Sequence, residues 1–360
     1  MIYKCSEIES MMNRAGVERV PFLFGLDFEM EEGFFIENPM LHDEILFEVE
    51  GIGNYNSNQS FPEDTDVNKQ NNNLLFRQSE VDKQSYNSFS EESVVNYYDK
   101  NYKFDIFPEE YLQYKKRFDI VMEGLRRGDS FLTNLTIKTP IKTTMSLKDI
   151  FVSSTSSYKL YVPNKFVCFS PECFVKIYDG KISTYPMKGT IEADIKDAVQ
   201  MILNDEKEKA EHNTIVDLLR NDLSRVSKNV IVKKFRYIDK IKNNRKNLLH
   251  LSSEIEGDLG DAYLDEIGTI IFKLLPAGSV SGAPKNATLD IIRNAEQQAR
   301  GYYTGVAGYF DGNSLNSFVL IRYIGKENGK FYFRSGGGIT AMSNAEKEYQ
   351  EMLQKVYLPF

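Results

Sequence analysis

The dipeptide Asp179–Gly180, set between the β-rich runs "FVCFSPECFVKIY" and "KISTYPM", constrains this chain more than any other pair of residues. Asp-Gly suits a two-residue hairpin turn in which both turn residues take positive φ, so the flanking runs are expected to be antiparallel partners. Folding there sets Tyr178 opposite Lys181, Ile177 opposite Ile182 and Phe174 opposite Tyr185. Continuing the count brings Glu172 opposite Met187, one residue short of Lys188. Glu172 and Lys188 therefore stand at one end of one hairpin. An ideal ladder aims them at opposite faces, whereas a one-residue bulge aims them at the same face. Pro171 and Pro186 cannot donate to a ladder, so irregular pairing is expected there. A carboxyl beside an amine at a hairpin mouth suits acid–base chemistry, but geometry alone favours a surface salt bridge.

A hairpin needs further strands to bury its faces. "VPFLFGLDFEMEEGFFIENP" and "EILFEVEGIGN" read as strands with a turn between them, and "SFLTNLTI" as another strand. Tyr111, Tyr114, Phe118, Val121, Met122 and Leu125 recur at helical spacing, and Gly128 is expected to end that helix. With 360 residues, 41% of them hydrophobic, the chain can bury one large core. Between Asn54 and Lys100 asparagine, serine and glutamine dominate, too polar a mixture for a core. The expected organisation is thus N-terminal strands of the sheet region at 1–53, an Asn-rich insertion at 54–100 and the main domain at 101–360. A net charge of -8 and a pI near 5.2 argue against nucleic acid or an anionic membrane as partner. No apolar run reaches the length of a membrane span, and "MIYKCSEIES" lacks a signal-peptide core. Cys5, Cys168 and Cys173 have no metal-binding spacing and are expected to be reduced thiols of a cytoplasmic protein.

Two further segments place carboxylates beside apolar stripes. In "NDEKEKAEHNTIVDLLRNDLSRV", Glu208 and Glu211 share a helical sector with Ile215, Leu218, Leu219 and Val226. In "SNAEKEYQEMLQKV", Ser343 and Glu346 form an expected capping box, and Glu348, Glu351 and Lys355 share one face beside Tyr349, Met352 and Val356. Charge on a helix is usually a solvated face; two Glu-x-x-Glu pairs beside buried stripes suggest a cation held between them, and all-oxygen ligands point to Mg²⁺. Gly336 to Gly338 in "RSGGGITAMS" are expected in a loop whose N–H groups approach an anion, and "LPAGSVSGAPK" reads as a second Gly/Ser-rich turn.

Nine stretches, taken in order, resemble the chorismate-utilising enzymes: "GDSFLTNLT", "SPECF", "PMKGT", "KEKAEHNTIVDLLRNDLSRV", "HLSSEIEG", "LPAGSVSGAPK", "RGYYTGVAGYFDG", "FVLIRYI" and "SGGGITAMSNAEKEYQEMLQK". The resemblance runs from about Phe107 to the C-terminus. The resemblance implies an α+β fold, the chorismate-binding fold, in which two packed antiparallel sheets flanked by helices make one large domain. It implies Mg²⁺ held by Glu208, Glu211, Glu348 and Glu351. It implies contacts to the substrate chorismate from Thr190, His250, Ser279, Gly282, Tyr303, Arg322, Gly336, Gly337, Gly338 and Lys355. Within the family the likeness is nearest to the aminodeoxychorismate synthase component I branch. There the lysine of "P-x-K-G-T", Lys188 here, would attack C2 and expel the C4 hydroxyl, and Glu172 would protonate that leaving group. The anthranilate synthase branch typically has alanine at the position of Lys188, and isochorismate synthases have lysine at that of Leu132. Anthranilate synthase component I is the rival reading, and a non-catalytic chorismate-binding or scaffold protein is another. No cysteine here lies in a Gly-rich elbow, and His42, His212 and His250 offer it no partner. Ammonia is therefore expected from a separate glutamine amidotransferase subunit. No Leu-Leu-Glu-Ser-like motif for tryptophan feedback is present.

Overall fold

A computed structural model describes residues 2–55, 95–99, 102–242 and 247–359. Two ten-stranded sheets face each other. In the first, the strands run in the order Tyr3–Lys4, Glu32–Glu37, Phe22–Leu26, Val306–Phe310, Leu315–Val319, Cys173–Tyr178, Lys181–Thr184, Asn247–Asp258 and Met187–Glu192. Lys228–Lys242 also pairs with Asn247–Asp258. In the second the order is Ile52–Gly53, Leu46–Val49, Tyr158–Val162, Phe166–Ser170, Tyr323–Glu327, Lys330–Ile339, Leu132–Thr143, Tyr102–Ile106 and Val95–Asp99, with Gly282–Ala283 paired to Leu132–Thr143. Each ladder is antiparallel, as the α+β reading requires.

Aromatic side chains fill the space between the sheets. Tyr158 of the second sheet stacks on Phe318 of the first, with ring centroids 5.2 Å apart. The outer face of the first sheet is covered by helices Cys5–Glu18, Glu206–Ser224 and Ile267–Leu274, whose apolar residues join one cluster with Phe22, Ile177 and Ile255. The outer face of the second is covered by Tyr111–Arg127, Lys285–Glu296 and Ala345–Gln354, packed on Leu135 and Ile137. The helix expected from Tyr111 onward ends where anticipated: Gly128 caps it at φ 81.

The turn at Asp179–Gly180 forms as expected, with φ 51 and 71. Tyr178 pairs with Lys181 and Ile177 with Ile182. The expected pairing of Phe174 with Tyr185 does not follow. The second strand ends at Thr184, whose Oγ1 donates to the Phe174 carbonyl at 2.8 Å, and the chain beyond Pro186 leaves the first strand but stays on Asn247–Asp258, with which Lys181–Thr184 already pairs, in the same register.

Four other expectations need correction. Residues 1–53 are not strands alone, since they include the helix Cys5–Glu18, buried through Ile8, Met12 and Ala15. The Asn-rich stretch is narrower than 54–100. Asn54 Nδ2 donates to the carbonyls of Pro39, His42 and Ile45, and Val95–Asp99 pairs with Tyr102–Ile106; residues 56–94 lie outside the described residues. The three glycines are not in a loop: the strand Lys330–Ile339 runs through them, with Gly336, Gly337 and Gly338 opposite Thr136, Leu135 and Asn134. The last helix is capped by Asn344, whose side chain accepts from the Lys347 N–H at 3.2 Å, and not by Ser343, which accepts from the Thr340 N–H.

One buried ion pair ties these layers together. Arg300 and Glu296, with side chains 1% and 0% exposed, form two bonds of 2.6 and 3.0 Å. The remaining donors of Arg300 reach the carbonyls of Val280 and Asn134, both at 2.8 Å, and Thr304 Oγ1 at 3.3 Å. Glu296 accepts from the Thr136 N–H at 2.9 Å. Removing one partner of such a pair strands a buried charge and typically costs about 3–5 kcal/mol. Glu296→Leu should therefore lose stability on that order in urea unfolding, and Glu296→Leu with Arg300→Met should recover part of it. A single variant as stable as the wild type would contradict this role.

Candidate active site

One irregularity, on the Glu172 side of the turn, brings Glu172 and Lys188 to one cavity, and a second lies just beyond Lys188. Cys173 pairs with Phe318 and Lys176 with Asn316, so three residue steps on one strand oppose two on the other. Lys188 pairs with Leu251 and Thr190 with His250, so the strand carries one extra residue at Gly189, which takes φ 78. Glycine tolerates that backbone without strain. A Cβ at this position would also meet Ile202 at 3.2 Å and Glu208 Oε2 at 3.5 Å. The first bulge thus lies between Glu172 and the turn and the second beyond Lys188, while the ladder runs through Pro186, whose carbonyl accepts from the Ser253 N–H at 3.0 Å; the Glu172 and Lys188 side chains both line the cavity.

The cavity measures about 520 Å³, within the usual size for a small-molecule site. Its walls include Glu172, Lys188, Glu208, Glu211, His250, Ser279, Gly282, Tyr303, Arg322, Gly336, Gly337, Gly338, Glu348, Glu351 and Lys355. Every site residue expected from the sequence except Thr190 is therefore brought together here. Thr190 stands across the ladder from His250, and its side chain lies outside those described. The glycines keep the wall thin. A Cβ on Gly337 would lie 3.6 Å from Lys355 Nζ and 3.7 Å from Glu348 Oε2, and one on Gly338 would lie 3.0 Å from Leu132 Cδ1 and 3.8 Å from Lys188 Nζ.

The ionisable groups are paired, both across elements and within the last helix. Lys188 Nζ is 3.6 Å from Glu211 Oε2. Lys355 Nζ is 2.9 Å from Glu351 Oε1 and donates to the Gly336 carbonyl at 2.9 Å. Arg322 bonds the Tyr357 hydroxyl at 3.1 Å. Ser279 Oγ donates to Glu172 Oε1. Burial pushes the Glu172 carboxyl above its usual range, opposed by the Ser279 bond and by the charges of Lys188, Arg322 and Lys355. Burial pulls the His250 imidazole down, so it is neutral near pH 7, and pushes Tyr303 up to about 12. A carboxyl that holds its proton longer than usual, next to an amine, is what a general acid beside a nucleophile requires.

The four glutamates come from two helices: Glu208 and Glu211 from Glu206–Ser224, Glu348 and Glu351 from Ala345–Gln354. Glu348 is buried, whereas the Glu351 side chain is 52% exposed and so stands at the rim rather than inside. Among the described residues no three carboxylate, histidine or thiol side chains form a ready metal cage. Mg²⁺ needs less than a cage, because it binds through one or two carboxylates and fills its shell with water and ligand oxygens. An all-oxygen donor set converging on one cavity fits it in that sense.

Sequence reasoning missed Asn134 and Thr304, which also line the cavity, and the Arg300–Glu296 pair behind them. Arg300 heads "RGYYTG", and its spacing of four from Glu296 resembles an ordinary exposed helix pair.

Removing the Ser279 bond takes away the largest influence holding the Glu172 pKa down. In Ser279→Ala the carboxyl should titrate at a still higher pH, read from its infrared band. An unchanged or lower titration point would remove Ser279 from that role.

A family model described as chorismate binding enzyme matches residues 13–359. The chain is 54% identical over 256 residues to an uncharacterized PabA-like protein of Haemophilus influenzae, covering 71% of this chain and 78% of that one. It is 42% identical over 348 residues to another from Pasteurella multocida, covering 96% of each. Aminodeoxychorismate synthase component 1 of Bacillus subtilis is 33% identical over 253 residues, 66% of this chain and 52% of its own. The crystal structure of anthranilate synthase component I from Streptococcus pneumoniae aligns with a TM-score of 0.60 at 29% identity, covering 70% of this chain and 58% of that one.

Proposed function

Because the chain belongs to the chorismate-binding enzymes, we propose that it aminates chorismate at C4, giving 4-amino-4-deoxychorismate for p-aminobenzoate and folate synthesis. The observation that carries this reading is Lys188, an amine on the cavity wall that also holds the acid Glu172. The Lys188 amine attacks C2, both conjugated double bonds of the ring shift, and the C4 hydroxyl departs as water with the Glu172 proton. Ammonia then attacks C4, both double bonds shift back, and the C2–lysine bond breaks. Two displacements through a covalent intermediate follow the usual logic of a nucleophilic side chain. Attack needs the free amine, so the contact with Glu211 must give way. Ser279 keeps Glu172 aimed at the cavity, and Tyr303 with Arg322 offers a donor and a cation to a substrate carboxylate.

Mg²⁺, held by Glu208, Glu211, Glu348 and Glu351, would neutralise a substrate carboxylate and polarise the departing oxygen. The ammonia would come from a separate glutamine amidotransferase subunit, and the setting would be the cytoplasm. Among the described residues no helix is long and apolar enough to cross a membrane. The reading in which ammonia attacks C2 directly, as an anthranilate synthase would use it, is favoured by the structural likeness to such an enzyme. Lys188 stands against it, since its side chain occupies the space where that branch typically has alanine.

Product analysis with chorismate, Mg²⁺ and an ammonium salt tests the proposal: 4-amino-4-deoxychorismate is expected, and anthranilate would overturn it. Lys188→Ala should lower C4 amination by orders of magnitude, and Lys188→Arg should not restore it, because a guanidinium stays protonated. An arginine variant with near-normal C4 amination would take Lys188 out of the nucleophile role. For the metal, Mg²⁺ binding measured by calorimetry should weaken at least tenfold in Glu211→Gln and in Glu348→Gln. Wild-type affinity in both would remove the metal from these helices.

A further inference from the structure

Arg334 is a buried cation for which the reaction above has no use. Its side chain is 2% exposed. It stands directly across from Tyr323 on one neighbouring strand and from Lys138 on the other. Among the described residues no carboxylate lies within ion-pair distance of it. Glu327, on the adjacent strand, is exposed and pairs with Lys138. The Nη1 atom of Arg334 has no hydrogen-bond partner among the described residues. Its guanidinium carbon lies 5.8 Å from the centroid of the Tyr303 ring, and Tyr303 is a wall of the cavity.

The surroundings of this charge point toward the cavity. Strand periodicity puts Arg334 on the same face as Gly336 and Gly338 and, across the ladder, as Thr136 and Asn134. Asn134 Oδ1 and Thr136 Oγ1 are likewise buried without a hydrogen-bond partner among the described residues. A row of unpaired polar groups therefore leads from the cavity wall at Asn134 inward to the guanidinium. Burying a charge without a counter-ion is costly, and an apolar residue of similar volume would usually be neutral or stabilising. Such a charge is retained at a gain only when it acts on an anion. Within the cavity, Lys188 and Lys355 already have carboxylate neighbours, which leaves Arg322 as the lining cation without one among the described residues.

We propose that Arg334 is a positioning residue for the ligand's carboxylate: from behind Tyr303, its uncompensated charge makes that end of the cavity attractive to an anionic group that it does not itself touch. Chorismate, a dicarboxylate, is the ligand on which this rests, through membership of the family and not through the choice of product. Because the charge acts from the dry interior, salt screens it little. Because it sits away from the reacting atoms, it acts on binding rather than on the chemical step.

Calorimetric affinity for chorismate in the wild type, Arg334→Met and Arg334→Lys tests this, together with the melting temperature of each ligand-free protein. The methionine variant should bind about tenfold more weakly, with kcat within about twofold of the wild type, and should melt no lower than the wild type. The lysine variant, which keeps the charge, should retain most of the affinity. Wild-type affinity in the methionine variant would overturn the proposal. So would parallel losses of affinity and melting temperature in both variants, which would make Arg334 a structural residue. Failure of C4 amination in the wild type would leave these affinities readable, so the two readings fail separately.

Discussion

The Arg300–Glu296 ion pair is the joint on which the cavity is built. Strand pairing fixes each sheet and, through Gly282–Ala283 against Leu132 and Thr133, ties the strand Leu132–Thr143 to the end of the short helix Gly278–Ser281; the ion pair braces that junction from behind. Arg300 does so by binding the carbonyls of Asn134 and Val280 with one guanidinium, while Glu296 holds the Thr136 N–H. Ser279, next to Val280, is thereby fixed where its hydroxyl meets Glu172. The fork of a guanidinium can satisfy several acceptors in one plane, which a lysine could not do. Full satisfaction is what makes a pair with side chains 1% and 0% exposed tolerable in the interior.

On this frame one bulge does the chemical placement. A regular hairpin would separate Glu172 from Lys188 by face; the irregular step between Cys173 and Lys176 puts both on the cavity wall, while the extra residue at Gly189 lies beyond Lys188. The cavity then contains opposed charge in close quarters. Lysines meet glutamates of the two facing helices, while Arg322 and, behind Tyr303, Arg334 supply positive charge without a carboxylate partner among the described residues. Such a site suits a small anionic ligand and a hard cation together, since each compensates groups that the other leaves exposed to the interior.

Much of this was legible in the sequence because particular residue types admit few backbone solutions. Asp179–Gly180 fixed a register that the ladder reproduces as far as the strand Lys181–Thr184 extends. The helical periods of Tyr111–Arg127 and Glu206–Ser224 announced both helices and the inward glutamates. Gly336 to Gly338 misled because glycine weakens strands when judged locally, whereas here the partner strand Leu132–Thr143 supplies the pairing and the missing side chains leave space for ligand. The helix Cys5–Glu18 carried a readable signal in Ile8, Met12 and Ala15, obscured by a polar composition around it. Arg334 and Arg300 were invisible for a different reason: burial of a charge depends on contacts far away in the chain, and no local pattern encodes it.

The central claim is that Lys188 becomes covalently joined to the substrate. Intact-protein mass spectrometry of the wild type, mixed with chorismate and Mg²⁺ and without ammonia, addresses it directly. The account predicts an adduct whose mass is that of chorismate less one water, mapped by peptide digestion to Lys188, present in the wild type and gone in Lys188→Ala. Wild-type protein that aminates C4 when ammonia is supplied, yet never shows an adduct in its absence at any time sampled after rapid quenching, would contradict it.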